Sequence, residues 1–546
     1  FNKIKSKTKR FRWLARNMTL EEKKAIEKLD IKGLGFLEEP KRVYPNNQLL
    51  SQVIGFTGRE GFGLEGLERT LDDILTGSSK KIIVPRDARG RPLLNDARLL
   101  FDVSDGKDVI LTIDREIQYF LERELQHAVD AHDAESAVGI ILDAKTSEIL
   151  AMANTPGYDL NQALQYSSKI RRNKVVMDAF EPGSTMKTFV VAAGLTHKIF
   201  KPSTKFDCEG GRLKIGKRWI TEADAKHDFQ MLTVTEILAK SSNVGSAKLG
   251  FAITDKTLYE FLKTMGFGEK PDVMIPGATS GILQALPWNK HLLSNISFGH
   301  GISTSALQIA NGYAAVANGG FLNIPKIIRG IKDPQSGEVT PFEVPEGQRV
   351  ISESIASTLT LMLTQATSDE GTGAAARVAG YPVAGKTGTA QKVDPIKGGY
   401  FKNKYISSFA GFAPAHKPQF VIYIAVDDPK ENYYGSEVAA PVFSKVASFL
   451  LRRSGVAPVL ISDKNVIDNT QAHVQNKALE SIKKLLKHES SEVMPDIIGE
   501  SLRDAVNKLR GRVAEVQIKG SGQVVKVSPD VGASLNPDQK VIIELK

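Results

Sequence analysis

Residues 380–391 read GYPVAGKTGTAQ, and what the chain does after Lys386 decides between two fold classes. The first eight residues fit the phosphate-gripping pattern G-x-x-x-x-G-K-S/T. That pattern works only where a helix starts at the lysine, so that backbone N–H groups cradle the phosphates. The stretch FVIYIAVDD at 420–428 even imitates the second strand such a site uses. Yet Lys386 and Thr387 are followed by GTAQKVDPIKGGY, with three glycines, one proline and no apolar periodicity. Pro382 also removes one N–H from the cradle. The segment therefore reads as an extended strand. A nucleotide-hydrolysing phosphate-loop fold stays as the weaker alternative.

Strands of suitable length surround it. SAVGIILDAKTSEILAMANT gives two apolar runs about a turn at Ala144 to Ser147. YISSFAGFAP and QFVIYIAVDD form a second pair across a proline-containing turn, and both patterns are those of antiparallel hairpins. Helical stretches fill the interval. Ahead of them, Asp114 is placed as an N-cap, and Ile117, Phe120, Leu121, Leu125, Ala128 and Val129 recur at helical spacing. The pattern predicts a multidomain α+β chain whose main unit, 108–455, holds a mostly antiparallel sheet flanked by helices.

Residues 1–107, rich in charge and glycine with short runs such as LLSQVIGF and KKIIVP, read as a mixed α/β unit. Residues 456–491 read as a polar linker containing one short amphipathic helix. A small α/β unit follows at 492–546. There Ser501 and Asp504 form a capping box, Leu502, Ala505, Val506 and Leu509 line a helix face, and VAEVQI, QVVKVS and KVIIEL are strands.

In EPGSTMKTFVVAAGL, Pro182 and Gly183 make a turn and Ser184 opens a helix with Lys187 one turn later on the same face. A serine hydroxyl needs a base, and a desolvated lysine amine supplies one. The spacing alone decides nothing, since Ser6 with Lys9, Ser78 with Lys81 and Ser481 with Lys484 repeat it in charged, solvated contexts. Ser241 and Asn243 in KSSNVG have a similar echo at Ser534 and Asn536, whereas KTG occurs once. Read singly, Ser241 and Asn243 cap a turn, and Thr387 and Thr389 are ordinary strand residues. Order supplies the specificity: Ser184 and Lys187, then Ser241 and Asn243, then Lys386, Thr387, Gly388 and Thr389.

Taken in that order, the sequence resembles the class B penicillin-binding proteins, the D,D-transpeptidases that crosslink peptidoglycan. KRVYPNN, GREGFGLEGLERTLDDILTG and PRDARGRPL look like their N-terminal pedestal, and LTIDREIQ like the entry to their catalytic domain. SFGHGISTSALQIANGYAAVANGG is similar to the division-type, septal branch, and residues 492–546 resemble a PASTA domain. The resemblance implies a serine β-lactamase-like fold, with Ser184 as nucleophile, Lys187 as base, Ser241 as proton relay and Asn243 orienting base and substrate. It further implies that Lys386, Thr387, Gly388 and Thr389 bind the substrate, with the backbone N–H groups of Ser184 and Thr389 as oxyanion hole. Stem peptides, β-lactams and division-machinery membrane proteins including a glycosyltransferase are the implied partners. No cofactor or metal is implied. The implied location is the outer face of the cytoplasmic membrane, with a single N-terminal anchor expected ahead of Phe1. A β-lactamase or penicillin sensor of the same fold is the nearer alternative.

Composition narrows the remaining classes. Lys and Arg exceed Asp and Glu by 72 to 62, but no clustered basic and aromatic stripe accompanies the net charge of +10, which argues against nucleic acid. Cys208 is the only cysteine, so an intramolecular disulfide and a CxxC metal or redox site are both excluded.

Overall fold

The structure, a computed structural model, describes residues 13–16, 18–36, 41–77, 105–224, 226–394, 396–459, 494–509, 515–533, 535 and 540–546. Its centre is a five-stranded sheet. We label the strands β1 (Ser136–Asp143), β2 (Ile149–Thr155), β3 (Ala384–Val393), β4 (Tyr400–Ala413) and β5 (Phe420–Asp427). They lie in the order β3-β4-β5-β1-β2, and every neighbouring pair is antiparallel. Both expected hairpins are present, and the chain after Lys386 is strand and not helix.

Side-chain alternation explains how the sheet carries two cores. Along β5, Val421, Tyr423 and Ala425 join one apolar cluster, while Ile422, Ile424 and Val426 join the other. Val138, Ile140 and Leu142 of β1 face the first cluster, and Ala137 and Ile141 the second. A strand buried on both faces needs an unbroken apolar run, which is what FVIYIAV is. One face is covered by helices α1 (Arg115–Ala131) and α7 (Ala440–Arg453). Asp114 caps α1 by accepting from the N–H groups of Glu116 and Ile117. Of the expected apolar face, Ile117, Leu121, Leu125 and Ala128 are buried and Phe120 and Val129 half-buried.

The other face packs against a larger helical layer. Its parts include α2 (Lys187–Thr196), α3 (Val234–Ala239), α4 (Asn243–Ile253), α5 (Ala306–Ala317) and α6 (Glu353–Ala366). α5 is buried almost all round. Its Tyr313 hydroxyl pairs with Thr188 Oγ1 at 2.8 Å and donates to the Thr185 carbonyl at 3.1 Å, tying the core to the turn that carries Ser184. Burying a side chain of this size contributes about 1.5–3 kcal/mol, so α5 is a firm floor for that turn.

Elsewhere the chain is simpler. The described part of the N-terminal unit consists of short helices, including Leu20–Glu27, Ser51–Ile54 and Gly66–Thr70, joined by turns and one Thr57–Gly63 bridge. LLSQVIGF thus contains a helix, while KKIIVP lies outside the described residues. So does most of the linker, including its expected helix. In the C-terminal unit the helix Leu502–Leu509 begins at the Ser501–Asp504 box, with Ser501 Oγ donating to Asp504 at 2.7 Å. Strand Lys540–Leu545 lies between Glu515–Lys519, parallel to it, and Val524–Ser528, antiparallel. Ala505, Leu509, Val527, Val541 and Ile543 are among the buried residues of its own small core.

Candidate active site

Three segments distant in sequence meet in front of β3. The first is a single 3₁₀ turn, Gly183–Met186, that runs directly into α2. Gly183 has φ +56°, and its N–H donates to the Gly299 carbonyl at 3.0 Å. A Cβ there would sit 2.9 Å from the Thr389 carbonyl oxygen, so a glycine lets the nucleophile turn lie against β3. Ser184 is half-buried, and its hydroxyl has no hydrogen-bond partner among the described residues. Its N–H lies in the first turn of a helix, where no intrahelical acceptor exists.

Lys187, one turn on, is 1% exposed. Its Nζ donates to the Ser241 carbonyl at 2.6 Å, to Asn243 Oδ1 at 2.8 Å and to Ser241 Oγ at 3.3 Å. No carboxylate among the described residues lies within ion-pair distance of it. Burial therefore brings its pKa from 10.5 down to about 7, against the pull of the Glu222 charge in the other direction. Lys187, Ser241 and Asn243 are thus together, with the amine turned towards the second segment and not hydrogen-bonded to the Ser184 hydroxyl.

That second segment is the junction of α3 and α4. Ser241 sits at φ +61°, a conformation that costs a non-glycine residue about 1–2 kcal/mol. Ser242 caps α4 by accepting from Gly245 N–H. Asn243, the first helical residue, donates through Nδ2 to the Thr221 carbonyl at 3.0 Å, which turns its Oδ1 towards Lys187. One amide hydrogen is left for a ligand. Glu222, only 7% exposed, accepts from the Asn243 N–H at 2.6 Å and from Ser242 Oγ at 2.6 Å. Sequence reading missed Glu222, because a single acid in RWITEAD carries no spacing signal.

The third segment is β3. Lys386 is fully buried, and its Nζ donates to Thr372 Oγ1, Thr387 Oγ1 and the Thr387 carbonyl at 3.2–3.3 Å. It too has no carboxylate partner among the described residues, and burial, reinforced by the Lys187 charge, pushes its pKa well down. Thr387 pairs with Thr372 at 2.8 Å, a residue that no motif had marked. Thr389 Oγ1 accepts from Gly435 N–H at 3.0 Å and keeps its own hydrogen to donate. Gly388 is also packed closely by protein atoms. Its missing side chain would meet Ser408 Oγ at 2.3 Å, Thr185 Cγ2 at 3.0 Å and the Pro182 carbonyl at 3.1 Å, so it admits the nucleophile turn as well as a ligand.

A wall unmarked by the sequence motifs completes the cleft. Glu181, next to the nucleophile turn, accepts from Gly301 N–H at 2.8 Å and Tyr400 Oη at 3.1 Å, and burial raises its pKa. His300 is held neutral, its pKa lowered to about 4 by burial and by the Lys187 charge. Asp427 and Asp428 end β5 in pairs with Lys392 at 2.6 Å and Lys430 at 2.8 Å, as strand-end residues.

A serine with a free hydroxyl, a buried amine with its pKa brought down, and a strand that offers a lysine and two threonine hydroxyls suit acyl transfer to and from a carboxylate-bearing substrate. Residues 137–448 match the penicillin binding protein transpeptidase domain, 1–111 the penicillin-binding protein dimerisation domain, and 492–546 the PASTA domain. The chain belongs to the penicillin-binding protein transpeptidase family. Among relatives of this transpeptidase, the peptidoglycan D,D-transpeptidase FtsI of Escherichia coli is 34% identical over 84% of this chain and 75% of its own. Stage V sporulation protein D of Bacillus subtilis is 32% identical over 97% of this chain and 79% of its own. Penicillin-binding protein 3 from Mycobacterium tuberculosis, complexed with ampicillin, superposes with a TM-score of 0.70 at 32% identity, covering 78% of this chain and 91% of that one.

Proposed function

We propose that the protein is a serine D,D-transpeptidase that crosslinks peptidoglycan stem peptides through an acyl-enzyme and is acylated by β-lactams, acting in septal cell-wall synthesis. The observation that carries the reading is Lys187, a buried amine with no carboxylate at ion-pair distance among the described residues, one turn from Ser184 and bonded to Ser241 and Asn243. Neutral Lys187 takes the Ser184 proton as Oγ attacks the penultimate carbonyl of a peptide ending in D-Ala-D-Ala. The oxyanion meets the N–H groups of Ser184 and Thr389. Ser241, whose Oγ lies 3.3 Å from Lys187 Nζ, passes a proton to the departing D-alanine amine. Asn243 holds the amine with Oδ1 and offers its remaining amide hydrogen to the substrate. Lys386, with Thr387 and Thr389, receives the terminal carboxylate, whose charge offsets the cost of burying an ammonium. An amine on a neighbouring stem peptide then attacks the acyl-enzyme and regenerates Ser184.

The unit limits 1–107, 108–455, 456–491 and 492–546 belong to this reading, as does placement on the outer membrane face behind an N-terminal anchor, with division proteins as partners. No helix among the described residues is long and apolar enough to cross a membrane. A sporulation role is the second reading, because the match to the sporulation relative runs through 97% of the chain. Labelled penicillin tests the chemistry. It should form one slowly released adduct that maps to Ser184. Rapid turnover would instead indicate a β-lactamase, and an adduct surviving in Ser184→Ala would overturn the assignment.

A further inference from the structure

We propose that Glu222 is a positioning residue for the acylation step, clamping the start of α4 so that Ser241 and Asn243 are held on Lys187. The inference rests on the reading of Lys187 as the base. It stands on four contacts at the end of the strand Arg218–Thr221. The Glu222 carboxylate takes the Asn243 N–H on one oxygen at 2.6 Å, and Ser242 Oγ at 2.6 Å and the Val244 N–H at 3.3 Å on the other. The adjacent Thr221 carbonyl takes Asn243 Nδ2 at 3.0 Å.

Asn243 is thereby held at both ends, backbone by Glu222 and side chain by Thr221. Only one orientation of its amide satisfies the Thr221 carbonyl, and that orientation presents Oδ1 to Lys187 Nζ. The carboxylate also sits where the first N–H groups of α4 lack intrahelical partners. Ser241 is held in a left-handed conformation next to this clamp, and residues over-determined by their surroundings are the ones that keep such conformations.

Charge gives the clamp a second effect. The charged and titratable groups facing Lys187 are Glu222, Lys386 of β3 and His300; those facing Glu222 are Lys187 and the Cys208 thiol. Glu222 is the one anion of the set among the described residues, and it holds the Lys187 pKa up against burial. A neutral side chain of the same size lets that pKa fall.

The experiment is the rate of labelled-penicillin acylation of the full chain from pH 5 to 9, comparing wild type with Glu222→Gln and Glu222→Ala. In Glu222→Gln the acid limb should move to lower pH, and the high-pH plateau should drop roughly tenfold as charge-assisted hydrogen bonds weaken. An acid limb that stays in place overturns the proposal, whatever happens to the plateau, because a merely structural residue would change amount or stability without moving it. Should Glu222→Ala fail to fold, the isosteric glutamine variant alone decides. Ser184→Ala run alongside separates the two readings: an adduct that persists there refutes the nucleophile assignment, whereas an unmoved limb with Ser184-dependent labelling refutes only the clamp.

Discussion

Lys187 should set the pH at which the protein reacts with penicillin, and the size of the effect follows from its surroundings. Its Nζ is buried, meets only neutral oxygens, and has a pKa lowered from 10.5 to about 7 by desolvation. At pH 7 about half of the molecules then carry a free base, against roughly one in three thousand for an unperturbed lysine. The amine works when deprotonated, so reactivity is lost as pH falls through about 7. Between pH 6 and pH 8 the neutral fraction rises from about 9% to about 91%, and the acylation rate should rise about tenfold with it and then level off. Rapid-quench measurement with a fluorescent penicillin, at constant ionic strength and with Ser184→Ala as blank, reads this directly. Lys187→Ala should lower the plateau by about 10²- to 10⁴-fold, and Lys187→Arg should not restore it, because guanidinium stays charged. A flat profile from pH 6 to 8.5, or an alanine variant that keeps the limb, would refute the reasoning. Linkage supplies an independent check of sign. A lysine whose pKa is depressed on folding leaves the unfolded chain binding more protons between about pH 7 and 10.5, so its contribution to stability should rise with pH across that window.

Three further outcomes are expected. Ser241→Gly should be neutral or stabilising by up to about 1 kcal/mol in thermal melts, since glycine accepts φ +61° freely, yet acylate slowly; Ser241→Ala should acylate slowly without that relief. Gly388→Ala should cost about 1–3 kcal/mol of stability and most of the acylation rate, because its methyl group would press on Ser408, Thr185 and the Pro182 carbonyl; a variant that melts and reacts as wild type would show that turn and strand are not in close contact. Deleting residues 492–546 should leave acylation of Ser184 intact, since the C-terminal unit has a core of its own and none of its described residues joins the cleft; loss of labelling in a folded truncation would contradict this.

What the sequence revealed and what it hid follow from how each residue does its work. Strand and helix patterns were legible wherever a residue acts through local spacing, as in the double-faced run FVIYIAV or the Asp114 cap. Ser184, Lys187, Ser241, Asn243 and Lys386 could be picked out because each stands in a short motif: one helix turn for the first two, the junction that opens α4 for the next two, and one strand for the last. Glu222 and Thr372 were not, because their roles depend on where a tertiary fold sets them against Asn243 and Lys386, and nothing in their own neighbours records it. Gly388 shows the intermediate case. Its need was visible in KTG, but the reason, a nucleophile turn pressed against the strand, appears only when residues 182–185 are brought to it. The motifs therefore mark the groups that face the substrate. Both lysines are set by burial, Lys187 also by the Glu222 carboxylate and Lys386 also by the Lys187 charge, and the chemistry proposed for Ser184 depends on that setting as much as on the serine itself.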